Sequence, residues 1–164
     1  MKKFLICFSI VILLFSACYK AEAASFEQEL LMQINSFRAE NRLTPLVKDA
    51  NLRSLAYDFS YKMKVLQVFS HEIITQKEWA QMAKENNVSW HCFEFLVYAP
   101  TEIPDPRKSF LCLEASPAHR EGLLRKDTIV YGAAYVEGNG CSYVTVYIGE
   151  IDKKGDTYEP NKGN

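Results

Sequence analysis

Three side chains able to exchange protons or bind a metal ion stand out along this sequence: His71, Glu94 and His119. His119 follows a Ser-Pro pair at 116–117, which is a helix-start signal because serine caps free amides and proline has its φ already set. In the first turn of a helix, the positive end of the dipole disfavours an imidazolium ion. We therefore expect His119 to be neutral and fixed, able to bind a metal ion or accept a hydrogen bond.

The other two candidates lie upstream. His71 comes just after a helical pattern ends, and Glu94 stands in an otherwise apolar segment. Two imidazoles and one carboxylate are sensible zinc ligands, and three protein ligands with an open fourth position form the catalytic zinc arrangement. In the alternative interpretation, the histidines bond each other's loops and Glu94 accepts N–H bonds in a buried cleft. The sequence leaves both open, although a missing ligand weakens a metal site sharply.

A nucleophilic hydrolase is the less favoured hypothesis. We expect the Ser116 oxygen to be occupied by helix capping, no acid can be placed behind His119, and no glycine-rich elbow is present. Cys92 and His91 are neighbours on a predicted strand, so their side chains diverge. His91 also precedes Glu94 by three residues, which predicts that it lies outside the cleft.

Helix signals occur before and between the candidate residues. Ser25 with Gln28, and Thr75 with Glu78, form capping boxes. Asp49 can cap a second helix, and the pair at 105–106 can start another. The predicted core stripe of the first two helices comprises Phe26, Leu30, Ile34, Phe37, Leu52, Leu55, Ala56, Phe59 and Met63.

Strand signals cover residues 89–98, 129–136 and 142–148, and the last two are joined by Glu137-Gly138-Asn139-Gly140, a strong hairpin signal. Helices come before, between and after these segments, which predicts an α+β fold with helices packed on a small, mainly antiparallel sheet.

Aromatic residues suggest a possible ligand groove. Phe93, Phe95 and Tyr98 lead into a loop punctuated by prolines. Four further tyrosines could form an aromatic face on the hairpin or could fill the core, as tyrosines on strands usually do: Tyr131, Tyr135, Tyr143 and Tyr147.

The N-terminus has the pattern of an export signal. Two lysines precede an apolar run from Phe4 to Phe15, which predicts a signal peptide over residues 1–17. The segment ending at Cys18 resembles a bacterial lipobox, so we expect Cys18 to be acylated and residues 18–25 to form a tether to the membrane. The alternative is cleavage after Ala23, which would give a soluble secreted protein. A domain over 26–151 and a polar tail over 152–164 follow.

Composition agrees with one exported domain. The chain has 164 residues, 48% of them hydrophobic, and removal of the first 17 changes the formal net charge from −1 to −3. The sequence has no run of basic residues, so it does not predict binding to nucleic acid or electrostatic binding to anionic lipid. Cys92, Cys112 and Cys141 allow one disulfide and one free thiol, or no disulfide.

The order of these parts resembles the CAP superfamily of cysteine-rich secretory proteins, venom antigens, pathogenesis-related proteins and bacterial SCP-like extracellular proteins. The resemblance runs from about Leu30 to Gly149. It rests on five segments: residues 31–38 with Asn35 and Arg38, residues 43–46 with Leu52 and Ala56, Phe69-Ser70-His71, residues 116–120, and Tyr131-Gly132-Ala133. It implies a three-layer α-β-α sandwich.

The resemblance also implies a central cleft lined by two histidines and two glutamates, which in some members binds a divalent cation. His71 and His119 match the histidine positions. Glu94 matches one glutamate, although the phenylalanines beside it degrade the motif. The second glutamate has no clear match, and Ser116 stands where it would be.

Many eukaryotic relatives bind sterols or fatty acids. The resemblance therefore implies an exported, membrane-anchored binding module at the cell surface, with a lipid, a sterol or a host or envelope protein as partner and Phe93, Phe95 and Tyr98 as a candidate groove. Two alternatives remain: a divalent-metal-dependent hydrolase using the His/Glu cleft, with zinc as the cation, and a structural envelope protein with a vestigial cleft.

Overall fold

The computed structural model describes residues 26–88 and 92–150. The predicted signal peptide, the predicted acylation site Cys18, the predicted tether, the predicted capping residue Ser25, His91 and the predicted polar tail lie outside the described residues. No helix within the two described ranges combines the length and apolar character needed to span a membrane.

Five helices form in the described chain. Helix α1 comprises residues 26–40, and the others are α2 (Ala50–Leu66), α3 (Gln76–Glu85), α4 (Pro106–Ala115) and α5 (Pro117–Leu123). The predicted caps at the starts of α2, α3 and α4 are confirmed. Asp49 Oδ1 accepts the Leu52 amide at 2.8 Å, and Thr75 and Glu78 form both bonds of a capping box.

The Ser116 prediction is only half right. Helix α5 does begin directly after Ser116, but the serine side chain makes no capping hydrogen bond. Ser116 ends α4 and starts α5 with one extended residue, and its carbonyl accepts the Arg120 amide at 2.8 Å. Proline at the first position, where no amide needs a partner, is sufficient to start the helix. The expectation that capping occupies the Ser116 oxygen is therefore wrong.

The sheet has four strands in the order β1-β3-β4-β2. They are β1 (Val47–Lys48), β2 (Cys92–Ala99), β3 (Val130–Gly138) and β4 (Cys141–Gly149). The predicted hairpin joins β3 to β4, with Asn139 and Gly140 at φ of 56° and 77°, the left-handed conformation that a two-residue turn requires. Strand β2 pairs antiparallel with β4, and only β1 is parallel to its neighbour.

Each face of the sheet carries its own helix layer and its own core. Helices α1, α4 and α5 cover one face, and α2 and α3 cover the other. This is the predicted three-layer α-β-α sandwich. The apolar stripes predicted for α1 and α2 are buried.

The four strand tyrosines are all buried and do not form one aromatic face. The β3–β4 register pairs Tyr131 with Ile148 and Tyr143 with Val136, so odd-numbered residues of one strand lie opposite even-numbered residues of the other. Consequently Tyr131 and Tyr135 belong to one core, and Tyr143 and Tyr147 belong to the other. The packing interpretation of these tyrosines is correct.

Candidate functional site

The three candidate side chains come from three different elements and meet beside the outer strand of the sheet. His71 lies on the loop between α2 and α3, Glu94 on β2 and His119 on α5. The Nδ1 atom of His71 is 2.9 Å from Glu94 Oε1, and the two imidazole ring centres are 6.5 Å apart. A cavity of about 290 Å³ lies between the histidines and is also lined by Phe93 and Phe95.

The loop that carries His71 is fixed at both ends and in its middle. Helix α2 ends at Gln67, which has φ of 54° and caps the last turn with its amide. Ser70 Oγ then accepts the Glu72 amide at 3.0 Å, and the Phe69 ring packs edge-on against Tyr98 with centres 5.8 Å apart. These contacts turn the loop back across the edge of the sheet, where His71 reaches Glu94.

Both oxygens of Glu94 are engaged. Oε1 contacts His71, while Oε2 accepts a hydrogen bond from the hydroxyl of Tyr147, which lies directly opposite Glu94 in the β2–β4 register. The Tyr147 oxygen in turn accepts the Trp79 Nε1–H at 3.1 Å. A hydrogen-bonded chain thus runs from α3 through β4 and β2 to His71, and it fixes the position of the carboxylate.

The pKa values of the two histidines are shifted in opposite directions. The hydrogen bond to Glu94 is the main cause that raises the pKa of His71, and it outweighs partial burial. Burial, followed by the charge of His71, lowers the pKa of His119. The site therefore pairs an imidazole that is easier to protonate than an exposed histidine with one that is harder to protonate.

His119 is held against β2 by close packing of α5. Its ring meets the Phe95 ring edge-on at 5.4 Å. One turn later Gly122 lies so close to the same ring that a Cβ there would be 2.7 Å from two Phe95 carbons. The absence of a side chain at Gly122 thus allows α5 to pack closely against the Phe95 ring.

A buried arginine anchors the far end of α5. Arg38 on α1 has no exposed surface and donates to the carbonyls of Leu123 and Arg125, at 2.7 and 3.0 Å. It also donates to Thr44 O at 2.9 Å, Thr128 Oγ1 at 3.2 Å and Thr128 O at 3.1 Å. One guanidinium thus satisfies the carbonyls left open at the end of α5 and in the loop that follows.

The donor set does not form a three-ligand metal centre. Both Glu94 oxygens have hydrogen-bond partners, and within residues 26–88 and 92–150 no three histidine, cysteine, aspartate or glutamate side chains are grouped to hold a metal ion. The two imidazoles remain the side chains that would hold a cation. Cation binding at this site stays a prediction.

The sequence places no acid behind His119, which argues against a hydrolase. The acid that contacts a histidine in this site is Glu94, and it orients His71 instead. A nucleophile is still missing from the lining of this cavity, which contains no serine, threonine or cysteine among the described residues. Cys92 lines a neighbouring cavity, and burial raises the pKa of its thiol to about 12. Within the described residues, no disulfide joins Cys92, Cys112 and Cys141.

The three predicted groove residues do not share one cavity. Phe93 and Phe95 line the space between the histidines. Tyr98 is half exposed and lines a separate cavity of about 260 Å³ with Pro100, Ile103 and Lys108. A further cavity of about 260 Å³ adjoins the other side of the His71–Glu94 pair. Whether any of them holds a lipid stays a prediction.

Sequence reasoning missed the residues that support the site. Tyr147 was considered as part of an aromatic face or of the core, not as a partner of Glu94, and Trp79 was not considered for the site. Arg125 lines the histidine cavity and lies over the Phe93 ring, 4.4 Å from its centre. No pattern in the sequence distinguishes Arg125 from other surface arginines.

No protein-family model and no curated protein sequence matches the chain, so the comparison rests on solved structures. An outer surface protein of Borrelia burgdorferi has a TM-score of 0.64 at 20% identity, over 74% of this chain and 89% of that chain. An extracellular SCP-domain protein of Bacillus anthracis has a TM-score of 0.64 at 19% identity, over 78% and 41%. The CAP domain of enterococcal PrgA has a TM-score of 0.63 at 15% identity, over 85% and 66%. This chain has the CAP fold.

The CAP fold was the architecture that the sequence resemblance implied. The chain spans less than half the length of the Bacillus anthracis protein but most of the Borrelia burgdorferi protein. At these identities the likeness concerns the fold, and the chemistry of this CAP domain must be argued from its own residues.

Proposed function

We propose that this protein is an exported, lipid-anchored CAP-domain protein that acts as a binding module at the cell surface, with the cleft between His71 and His119 as part of its ligand site. The observation that carries the proposal is the site itself. It combines an open cavity, a hydrogen-bonded His71–Glu94 pair and a second imidazole whose pKa is lowered by burial, and the described residues of its lining include no serine, threonine or cysteine. Such a site can recognise a ligand through charge and hydrogen bonds without transforming it.

Export and anchoring are supported by the signal-peptide pattern before Cys18 and by two structural neighbours described as outer surface and extracellular proteins. The test is Cys18→Ala, with Cys112→Ala as matched control because it removes an exposed thiol from the domain. We expect acyl labelling and membrane association to be lost only in Cys18→Ala. Equal membrane association of both variants would remove the anchor from the proposal.

Ligand binding in the cleft is testable by fluorescence, because Trp79 adjoins the His71–Glu94 pair. Delipidated protein is titrated with a long-chain fatty acid and, separately, with a sterol. A saturable change that disappears in Trp79→Phe supports a lipid ligand. If neither the fatty acid nor the sterol changes the fluorescence, the proposal survives only with a protein as the partner at the cell surface.

A divalent cation on the two imidazoles is the second candidate, favoured by the carboxylate that orients His71 as ligating histidines are oriented. Zinc titration by calorimetry, with His71→Ala and His119→Ala, tests it. Zinc binding abolished by either variant supports a two-histidine site. If instead the variants change stability alone, with neither ligand nor metal binding in the parent protein, the cleft is vestigial and the protein is structural.

A further inference from the structure

Helix α2 carries a row of aromatic and aliphatic residues on the face that it turns away from the sheet. Tyr57, Tyr61 and Val65 follow one another at intervals of four residues and are 48%, 49% and 60% exposed. The two tyrosine rings stack, with centres 6.4 Å apart and planes 15° apart. The buried residues of the helix, Ala56 and Phe59 among them, lie on its other side. Single exposed apolar residues are normal on protein surfaces, whereas a contiguous row marks an interaction site.

The free charges beside this row are basic. Arg53 and Lys64 lie next to it on the exposed surface of α2, one turn or less from a tyrosine. Asp58, the one acidic residue of the helix, accepts the Asn86 side-chain amide at 2.8 Å. Lys64 forms no ion pair with a residue in the described ranges. Tyrosine rings rimmed by lysine and arginine are typical of surfaces at the level of lipid headgroups.

The predicted membrane tether joins the domain beside this row. The tether, residues 18–25, ends where α1 begins, and Glu27 in the first turn of α1 lies with its Oε2 atom 3.5 Å from Arg53 Nε. Arg53 precedes Tyr57 by one helical turn. Eight residues span at most about 29 Å, close to the length of α2, which is about 26 Å for 17 residues. An anchor at Cys18 therefore holds the domain near the membrane from the side on which the row begins.

We propose that the outer face of α2, formed by Tyr57, Tyr61, Lys64 and Val65, docks on the membrane to which the protein is anchored. The inference rests on the proposed anchor and assigns the orientation of the binding module. Helices α1, α4 and α5 form the opposite layer of the sandwich, so docking through α2 turns that layer, with His119, away from the membrane. The short tether keeps the face at a high effective concentration, so a weak contact with lipid is sufficient.

The first experiment measures which tyrosines the membrane covers. Residues 18–164 are held on vesicles of phosphatidylcholine and phosphatidylglycerol by a hexahistidine tag before residue 18, which binds a nickel-chelating lipid. Exposed tyrosine hydroxyls are acetylated with the water-soluble reagent N-acetylimidazole, and the labelled peptides are quantified by mass spectrometry. Labelling of Tyr57 and Tyr61 should slow by about threefold or more on the vesicles, because the tether gives an effective concentration in the millimolar range.

Tyr98 is the internal control, because it is as exposed as Tyr61 but belongs to the sheet. Helix α2 follows β3, since a Cβ at Gly132 or Gly138 would meet atoms of α2. Strand β2, which carries Tyr98, lies two strand spacings from β3, or about 10 Å. Labelling of Tyr98 should therefore be the same with and without vesicles. An equal loss at Tyr98 would show an unspecific effect of the vesicle surface and contradict docking through α2.

The second experiment places one charge in the row. Val65→Glu puts a carboxylate where the proposal has lipid, so it should restore the labelling of Tyr57 and Tyr61 on vesicles to the rate in solution. Met32→Glu is the matched control, since Met32 is 51% exposed on α1, in the opposite layer, and this change should leave the protection intact. Both changes are at exposed positions, and circular dichroism checks that both variants are folded.

Three results would overturn the proposal. They are unchanged labelling of Tyr57 and Tyr61 on vesicles, protection that Val65→Glu leaves intact, and protection that grows with protein concentration in the absence of lipid. The last result would assign the row to a second copy of the chain. Because the tag replaces the acyl anchor in these experiments, docking is tested independently of acylation at Cys18, and a failure of the proposed anchor is seen separately.

Discussion

Replacing the buried arginine of α1, as in Arg38→Met, should destabilise the domain more than any surface change of charge. The guanidinium makes five hydrogen bonds, and three of them reach atoms of Leu123 and Thr128 that are themselves buried. Methionine restores most of the apolar volume but donates nothing, so the Leu123 and Thr128 carbonyls lose their donor in the interior.

The magnitude follows from those two carbonyls. A hydrogen bond to a charged group contributes about 1.5–3 kcal/mol net, and an orphaned buried acceptor costs about 1–3 kcal/mol. The carbonyls of Thr44 and Arg125 are partly exposed and can turn to water. Burial of the guanidinium, which lowers the pKa of Arg38, is a cost that the variant no longer bears. We expect a net loss of about 3–5 kcal/mol from a domain whose total stability is about 5–15 kcal/mol.

The assay is urea unfolding monitored by circular dichroism, and the two proteins are compared at a constant m-value. Arg107→Met is the control. Arg107 is exposed on α4 and forms no ion pair with a described residue. Because Arg38 holds the end of α5, the His119 ring resonances should also move in the folded variant. A loss below about 1 kcal/mol, or unmoved His119 resonances, would refute the argument that Arg38 anchors the site.

Three further predictions concern single contacts. Glu94→Gln should lower the pKa of His71, measured by NMR titration. Because Glu94 raises that pKa in the folded state, the parent protein should be more stable than the variant below about pH 6.5, and this advantage should be lost as the pH rises through the folded-state pKa. A stability difference that does not depend on pH would contradict this. Gly132→Ala should lower the free energy of unfolding by more than about 3 kcal/mol, because the new Cβ would lie 2.3 Å from the main chain of α2. Gly138→Ala is the control, since its Cβ meets only a lysine side chain. Equal unfolding midpoints of the two variants would show that the layers can separate. Tyr147→Phe should weaken the His71–Glu94 pair, seen as a changed NMR pKa of His71, because Glu94 loses its second partner.

The parts of the fold that follow from local chemistry were predictable. Capping at Asp49 and Thr75, and the Asn139-Gly140 turn, depend on residues close in sequence, and the structure confirms them. Strand β1 was not predicted, because its two residues form a strand only through the carbonyls of Ile129 and Tyr131, far along the chain. Short non-local pairings leave no periodic pattern to detect.

The candidate site likewise contains residues that the sequence predicted and residues that it did not. His71, Glu94 and His119 were identified by their chemistry and matched by the resemblance, and the structure brings them to one edge of the sheet. Arg38 was noted as a matching residue, but its contacts lie 85 to 90 residues away along the chain, beyond what spacing can reveal. Tyr147 was missed as a site residue because its polar role depends on the register that sets it opposite Glu94.

The position of the site at a sheet edge explains why its histidines differ. Side chains alternate between the faces of β2, so Glu94 enters the layer of α2 and α3 while Phe95 enters the layer of α4 and α5. His71 meets a carboxylate and His119 meets an apolar ring, although both adjoin the same strand. A site buried within either layer would give both imidazoles similar surroundings. The edge supplies one polar and one apolar partner.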